Sequence, residues 1–192
     1  MAFVVLYDAC VLYPAPLRDL LVRLANTGIV RARWSDAILD ECFRNVLDNR
    51  PDLKPDSLKR TRELMNQAVA DCLVTGFEGL VEGLALPDPG DRHVLAAAIC
   101  AGAQTIVTFN LKDFPAERLA PYNVEAKHPD EFVLDTIDLA PGLVTTVVSE
   151  QAGALRSPRR TVGELLDTLR AQGLVRSVAK LRELFGVVDL LS

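Results

Sequence analysis

Apolar residues form short unbroken runs at several points of the chain, and these runs predict strands. The clearest cover residues 3–7 and 105–109, and weaker candidates cover 29–34, which includes arginines, and 124–126. A strand that is apolar on both sides needs cover on both faces, which is typical of a parallel sheet between helical layers. The pattern therefore predicts an α/β fold, a three-layer α/β/α sandwich with a central parallel sheet.

Between these runs, apolar residues recur at helical spacing. One helix is predicted to follow the prolines at positions 14 and 16 and to stop at Gly28. Another is predicted over 36–49, with Ser35 as its N-cap. Further helices are predicted over 91–101, over 129–135, and from Pro55 onward with Leu58, Met65, Ala68, Val69 and Cys72 facing inward.

The last quarter of the chain differs from the rest in charge and in pattern. Residues 1–140 hold 14 Lys and Arg against 21 Asp and Glu, whereas residues 141–192 hold 7 against 5. Thr161 and Glu164 form a capping box before an amphipathic helix, and apolar stripes predict helices over 144–155 and 174–185. We therefore expect a first domain over residues 1–140 and a C-terminal helical extension over residues 141–192, which takes no part in the chemistry.

The composition narrows the class of protein. The chain has 192 residues, 49% hydrophobic and 24% charged, which suffices for one self-supporting domain with an appendage. Its four cysteines form no C-x-x-C pair and it has only two histidines, so we expect no disulfide framework, no structural zinc and a reducing, cytoplasmic location. We expect neither a signal peptide nor a membrane helix, which needs ~18 apolar residues. A net charge of −5 argues against binding of nucleic acid through bulk positive charge.

Four acidic residues stand beside apolar elements. Asp8 follows the first strand, Asp91 begins a helix and Asp113 lies in the turn after a later strand, while Glu41 borders the apolar stripe of a helix. In parallel α/β folds, ligands bind where the strands end. Carboxylates that meet there repel one another unless a cation binds or some stay protonated. Oxygen ligands without His or Cys favour Mg²⁺ or Mn²⁺, and such a site is suited to metal-assisted hydrolysis of a phosphodiester.

The order of these motifs resembles the PIN-domain ribonucleases, and most of all the VapC-type toxins of bacterial toxin–antitoxin pairs. The resemblance covers about residues 3–135 and is carried by VVLYDACVLYP, PDPGDRHVLAAAI and IVTFNLKDFP. It implies Asp8, Glu41, Asp91 and Asp113 as catalytic and metal-binding residues, with Mg²⁺ or Mn²⁺ as cofactor. It also implies cleavage of RNA as the reaction, a cognate antitoxin protein as partner, and a homodimer as a common assembly. The segment from about 141 looks like the extension of a longer subgroup.

The resemblance extends to several neighbouring residues. Many members of the family carry another acid where this chain has Asn110, so Asn110 and Thr108 are expected to orient water or phosphate. Arg92 is expected to contact RNA phosphates. Asp88 is an alternative metal ligand to Asp91.

Three other functions compete with a nuclease. A haloacid-dehalogenase-type phosphatase also has an Asp after its first strand, but it requires a second acid two residues later, where this chain has Cys10. A response-regulator receiver requires an upstream acid pair and a lysine after a late strand, and neither is evident. A non-catalytic binding module stays open because Asn110 departs from the full acidic set. Cys10 and His93 are expected to be packing residues rather than a nucleophile or a base.

Overall fold

A computed structural model describes residues 3–156 and 158–186 of the chain. Its centre is a five-stranded sheet in which all neighbouring strands run parallel. The strands are β1 (Phe3–Tyr7), β2 (Val30–Ser35), β3 (Leu73–Val74), β4 (Thr105–Val107) and β5 (Glu125–Lys127). Their order across the sheet is β3-β2-β1-β4-β5, so the first strand of the chain lies in the middle.

Helices cover this sheet and continue beyond it. They are α1 (Ala9–Leu12), α2 (Ala15–Asn26), α3 (Asp36–Asn49), α4 (Pro55–Ala68), α5 (Arg92–Ala101), α6 (Ala116–Leu119), α7 (Pro129–Leu139), α8 (Pro141–Ala154), α9 (Val162–Ala171) and α10 (Val175–Phe185). Short 3₁₀ turns cover Glu78–Gly83, Pro89–Asp91, Leu111–Asp113 and Ala120–Tyr122. The predicted α/β/α sandwich with a central parallel sheet and C-terminal helices is confirmed.

Several predicted elements need correction. The helix α4 ends at Ala68, which is exposed, so the buried Val69 and Cys72 follow the helix instead of lying on its inner face. Cys72 leads into β3, a strand of two residues that is too short to form a recognisable apolar run. The strand β4 stops at Val107, two residues before the end of the predicted run at 109.

The register of β1 and β4 aligns the carboxyl ends of the two strands. Tyr7 is paired with Val107, and the amide of Asp8 donates to the carbonyl of Val107 at 3.1 Å. The amide of Thr108 in turn donates to the carbonyl of Lys127 at 3.0 Å, which ties this edge to β5. The residues that follow β1 and β4 are therefore side by side, at the edge where ligands bind in parallel sheets.

The C-terminal helices are attached to the first part of the chain by specific hydrogen bonds. The carboxylate of Asp130, on α7, accepts from the amides of Arg176 and Ser177 at 2.9 and 2.8 Å and so caps the start of α10. At the start of α2, the Gln151 side chain donates to the carbonyl of Pro16 at 2.8 Å. Beside it, the amide of Leu17 donates to the side-chain oxygen of Gln172 at 3.1 Å. These contacts hold the extension against α2 and α7.

Within the described residues, no single helix is long and apolar enough to cross a membrane. The pair α7 and α8 reaches the required length and composition together, but the two helices meet at a bend of 119°.

Candidate active site

Asp8 is a buried carboxylate that ends β1 and begins α1. Only 4% of the residue is exposed. One carboxylate oxygen accepts from the amide of Ala9 at 2.7 Å, which caps the short helix α1, and the other accepts from the hydroxyl of Thr108 at 2.7 Å. Burial raises the pKa of Asp8, although these hydrogen bonds oppose the shift. The carboxylate of Asp8 is therefore held in place, and a nearby positive charge would stabilise its ionised form.

Two side chains next to Asp8 are engaged in holding it. The thiol of Cys10 donates to the same oxygen of Asp8 at 3.2 Å, and burial raises the pKa of this thiol to about 12, so it stays protonated and remains a donor. Thr108 is fully buried, and its hydroxyl oxygen also accepts from the amide of Asn110 at 3.0 Å. In the structure the hydroxyl of Thr108 donates to Asp8. The predicted contact of Thr108 with water or phosphate stays a prediction.

Asp91 lies at the end of the turn Pro89–Asp91, directly before α5, and is half-buried. Burial, followed by the negative charges of Asp8, Asp88, Asp113 and Glu41, raises its pKa to about 6. The negative charges that act on Asp91 therefore include those of Asp88 and of the other three predicted ligands. That these four acids bind one metal ion stays a prediction.

Asp88 has a different role in the same turn. It is exposed, and its side chain accepts from the amide of Gly90 at 2.7 Å. This hydrogen bond shapes the turn that ends at Asp91. Asp88 as an alternative metal ligand stays a prediction.

Glu41 is paired with a histidine that the sequence analysis assigned to packing. On α3, its carboxylate lies 3.4 Å from Nε2 of His93, which belongs to α5. Among the described residues, Nδ1 of His93 is buried and has no hydrogen-bond partner. His93 therefore orients Glu41 toward the region between α3 and α5. The two residues lie on separate helices, 52 positions apart, so no local pattern in the sequence points to this contact.

The remaining predicted residues lie around this region. Asp113 ends the turn Leu111–Asp113 and is half-buried, while Asn110 is exposed directly before that turn. Arg92 is half-buried at the start of α5, and its Nε is buried without a hydrogen-bond partner among the described residues. The predicted contact of Arg92 with an RNA phosphate stays a prediction.

Arg18 is a further residue near this region, and no motif in the sequence indicates it. Its guanidinium donates to the carbonyls of Leu12 and Tyr13, at 2.7 and 3.4 Å, at the end of α1. The same group lies 5.8 Å from the centre of the Phe43 ring on α3. Arg18 therefore joins the helix that Asp8 begins to the helix that carries Glu41.

The donor set fits a hard divalent cation by its chemistry. Among residues 3–156 and 158–186, no group of three or more His, Cys, Asp or Glu side chains could hold a metal ion as the side chains stand. The candidate ligands are nevertheless all carboxylates, which Mg²⁺ and Mn²⁺ prefer. The raised pKa values of Asp8 and Asp91 also reflect unneutralised charge and burial, which a cation would relieve.

The comparison with protein families identifies the fold to which this site belongs. The PIN domain matches residues 4–112, more than half of the chain. The chain belongs to the PIN-domain family. The resemblance inferred from the motifs is thereby confirmed, and Asp8, Glu41 and Asp91 lie inside the matched region. Asp113 lies one residue beyond it.

A second match covers the C-terminal part of this PIN-domain protein. Residues 129–183 match the VapC50 C-terminal domain, which begins in this chain with α7. The protein is also 45% identical over 95 residues to "Putative ribonuclease VapC50" of Mycobacterium tuberculosis (strain ATCC 25618 / H37Rv). That alignment covers 50% of this chain and 56% of the relative, about half of each. No solved structure matches the chain.

Proposed function

We propose that this PIN-domain protein is an endoribonuclease, a hydrolase that cleaves RNA phosphodiester bonds with Mg²⁺ or Mn²⁺ as cofactor. We assign Asp8, Glu41, Asp91 and Asp113 to its catalytic and metal-binding site. The proposal is carried by one observation: Asp8 is buried and held by three hydrogen bonds at the edge of the sheet where β1 and β4 end. The name of the relative, a ribonuclease VapC50, supports the same class of reaction.

Each residue of this site has a separate role in the proposed hydrolysis. When bound, a divalent cation would polarise the phosphate and make water a stronger nucleophile at neutral pH. Thr108, Cys10 and the amide of Ala9 fix the carboxylate of Asp8, so little reorganisation is needed during the reaction. His93 orients Glu41, and we assign contact with an RNA phosphate to Arg92. Water adds to phosphorus, one P–O bond breaks and the departing sugar oxygen takes up a proton, so no covalent intermediate is needed.

A cleavage assay tests this proposal. Purified wild type and Asp8→Asn are incubated with labelled single-stranded RNAs and Mg²⁺ or Mn²⁺, with and without EDTA. Asp48→Asn is the matched control, because Asp48 is exposed on α3 and its substitution changes the charge equally. We expect wild type and Asp48→Asn to cleave, EDTA to stop both, and Asp8→Asn to be at least about 100-fold slower, since each 1.36 kcal/mol is tenfold.

Two results of this assay would contradict the proposal. Equal cleavage by Asp8→Asn and wild type would mean that the activity comes from elsewhere. Binding of metal without cleavage of any RNA would favour the alternative function, a non-catalytic PIN-like binding module. The exposed amide of Asn110 supports that alternative, because it stands where the full acidic set would have another acid.

We further propose that the protein is the toxin of a type II toxin–antitoxin pair, acts in the cytoplasm, and binds a cognate antitoxin protein. The VapC50 relative and the matching C-terminal domain support this assignment. The four cysteines are free thiols, which fits a reducing compartment. We also propose a homodimer, and a catalytic unit over residues 1–140 followed by the extension over 141–192. Expression of wild type alone should slow bacterial growth, whereas Asp8→Asn should not.

A further inference from the structure

The connection between α8 and α9 concentrates positive charge in an otherwise acidic protein. Residues 151–163 contain three arginines, Arg156, Arg159 and Arg160, and no acidic residue, while the whole chain has a net charge of −5. Together with the end of α8, these arginines line an open depression of about 510 Å³. We call them the arginine cluster.

The backbone and one side-chain contact keep the arginine cluster together. Arg156 and Arg159 form an antiparallel β-bridge, which fixes their backbones opposite each other. The guanidinium of Arg160 donates to the hydroxyl of Thr168, on α9, at 2.8 Å. In the part of the chain that the structure describes, none of the three arginines forms an ion pair with an acid. Holding like charges together costs electrostatic free energy, which a bound anion would recover.

The arginine cluster is continuous with a second groove, at the start of α2. Leu155 lines both this depression and a second groove of about 460 Å³, which also contains Pro16 and Arg18 from the start of α2. The start of α2 follows α1, the helix that Asp8 begins, and the hydrogen bond from Gln151 to Pro16 fixes the end of α8 there. An extended chain lying in this groove would therefore reach the arginine cluster.

We propose that Arg156, Arg159 and Arg160 bind the phosphodiester backbone of single-stranded RNA at a distance from the bond that is cleaved. This inference rests on the proposed function, because it takes RNA as the substrate. The first 140 residues have a net charge of −7, so they repel RNA outside the cation-loaded site. Guanidinium groups bind phosphate through paired, charge-assisted hydrogen bonds, so the extension supplies the affinity that the acidic domain lacks.

The test measures RNA binding in the full-length Asp8→Asn protein, so that cleavage does not interfere. A labelled 20-nucleotide single-stranded RNA is titrated at several KCl concentrations, and binding is followed by fluorescence anisotropy. The first variant is Arg156→Gln/Arg159→Gln/Arg160→Gln. The matched control is Arg31→Gln/Arg60→Gln/Arg176→Gln, which removes three exposed arginines elsewhere and changes the net charge equally. A third variant changes the arginine cluster to lysines.

We expect the glutamine variant of the cluster to bind RNA about tenfold more weakly at 100 mM KCl. Its salt dependence should fall by about 2 in the slope of log K against log salt, since each phosphate contact of a single strand contributes about 0.7. The control should lose less than about twofold, and the lysine variant should keep most of the slope. Thermal melting checks that each variant is folded. If the triple glutamine variant does not fold, RNA binding is compared between the single variants Arg159→Gln and Arg159→Lys instead.

Two results would overturn the inference. Equal losses in the cluster variant and the control would show that only total charge matters. Unchanged RNA binding in the cluster variant would show that the cluster binds something else, such as an acidic segment of a protein. Because binding is measured without cleavage, a wild type that binds through the cluster but cleaves no RNA would contradict the proposed nuclease and leave this inference standing.

Discussion

The hydroxyl of Thr108 lies 2.7 Å from Oδ2 of Asp8 and joins two residues that are 100 positions apart in the sequence. The bond forms between the ends of neighbouring strands, in a site that excludes water. It favours the ionised form of Asp8, which is the form that a metal ion requires. The threonine of the T-x-N motif therefore stabilises the carboxylate of Asp8.

Replacing this hydroxyl should weaken metal binding more than folding. Thr108→Val has nearly the same shape but cannot donate, so we expect the pKa of Asp8 to rise further and affinity for Mn²⁺ to fall about tenfold or more. A hydrogen bond to a charged group contributes about 1.5–3 kcal/mol, which sets this scale. Calorimetric titration with Mn²⁺ measures the change. Thr108→Ser keeps the donor and should bind as wild type does; equal affinities for the valine and wild-type proteins would show that the bond is unimportant.

The carboxyl of Asp91 should make the metal-free protein less stable as the pH rises. This group ionises near pH 4 when the chain is unfolded but at about pH 6 in the folded protein. The folded state holds the proton more tightly, so this contribution to stability is complete below about pH 4 and is lost as the pH rises through about 6. Thermal melting in EDTA between pH 4 and 7 should show Asp91→Asn gaining stability relative to wild type over that interval. Parallel curves for the two proteins would contradict the expectation.

Metal binding should raise the melting temperature of wild type. A cation that binds only the folded state stabilises it by mass action and relieves the repulsion among the acids. We expect millimolar Mn²⁺ to raise the melting temperature, EDTA to reverse the effect, and Asp8→Asn to reduce it strongly. Asp48→Asn is again the control and should respond as wild type does. If Mn²⁺ left the melting curve of wild type unchanged, the proposed metal site would be contradicted.

Asp130 should be important for stability but not for the chemistry. It is buried, and its carboxylate accepts from two amides at the start of α10, while its carbonyl accepts from the hydroxyl of Ser177 at 2.7 Å. Loss of a helix cap costs about 0.5–2 kcal/mol, and this is a lower bound because amides that lie in a buried contact would lose their partner. Urea unfolding of Asp130→Ala should show a loss of about 2 kcal/mol. Asp138→Ala, at an exposed acid of the same helix, should change the free energy of unfolding little.

Local patterns in the sequence were sufficient to predict much of the fold. The N-cap Ser35 accepts from the amide of Ile38 at 3.2 Å, and α3 covers the predicted residues 36–49. The capping box of Thr161 and Glu164 is present with both of its hydrogen bonds. In each case the signal and the structure lie within one turn of the chain, so no tertiary contact was needed to infer them.

The contacts that shape the site could not be predicted in the same way. Glu41 and His93 meet across two helices, and Arg18 reaches the end of α1 from α2. Such contacts depend on how elements pack, which residue spacing does not specify. The strand order also matters here, because placing β4 beside β1 is what brings Thr108 to Asp8.

The central position of β1 also determines when the site can form during synthesis of the chain. Asp8 is made about 100 positions before its neighbour β4 and the residues Thr108 and Asp113. Thr108 is then held by β5, which is later still. A nascent chain on the ribosome therefore carries an incomplete site while these positions are being made. The proposed nuclease cannot cut RNA until nearly all of its PIN domain has been made, so the transcript and ribosome that produce it are not exposed to a growing, active enzyme.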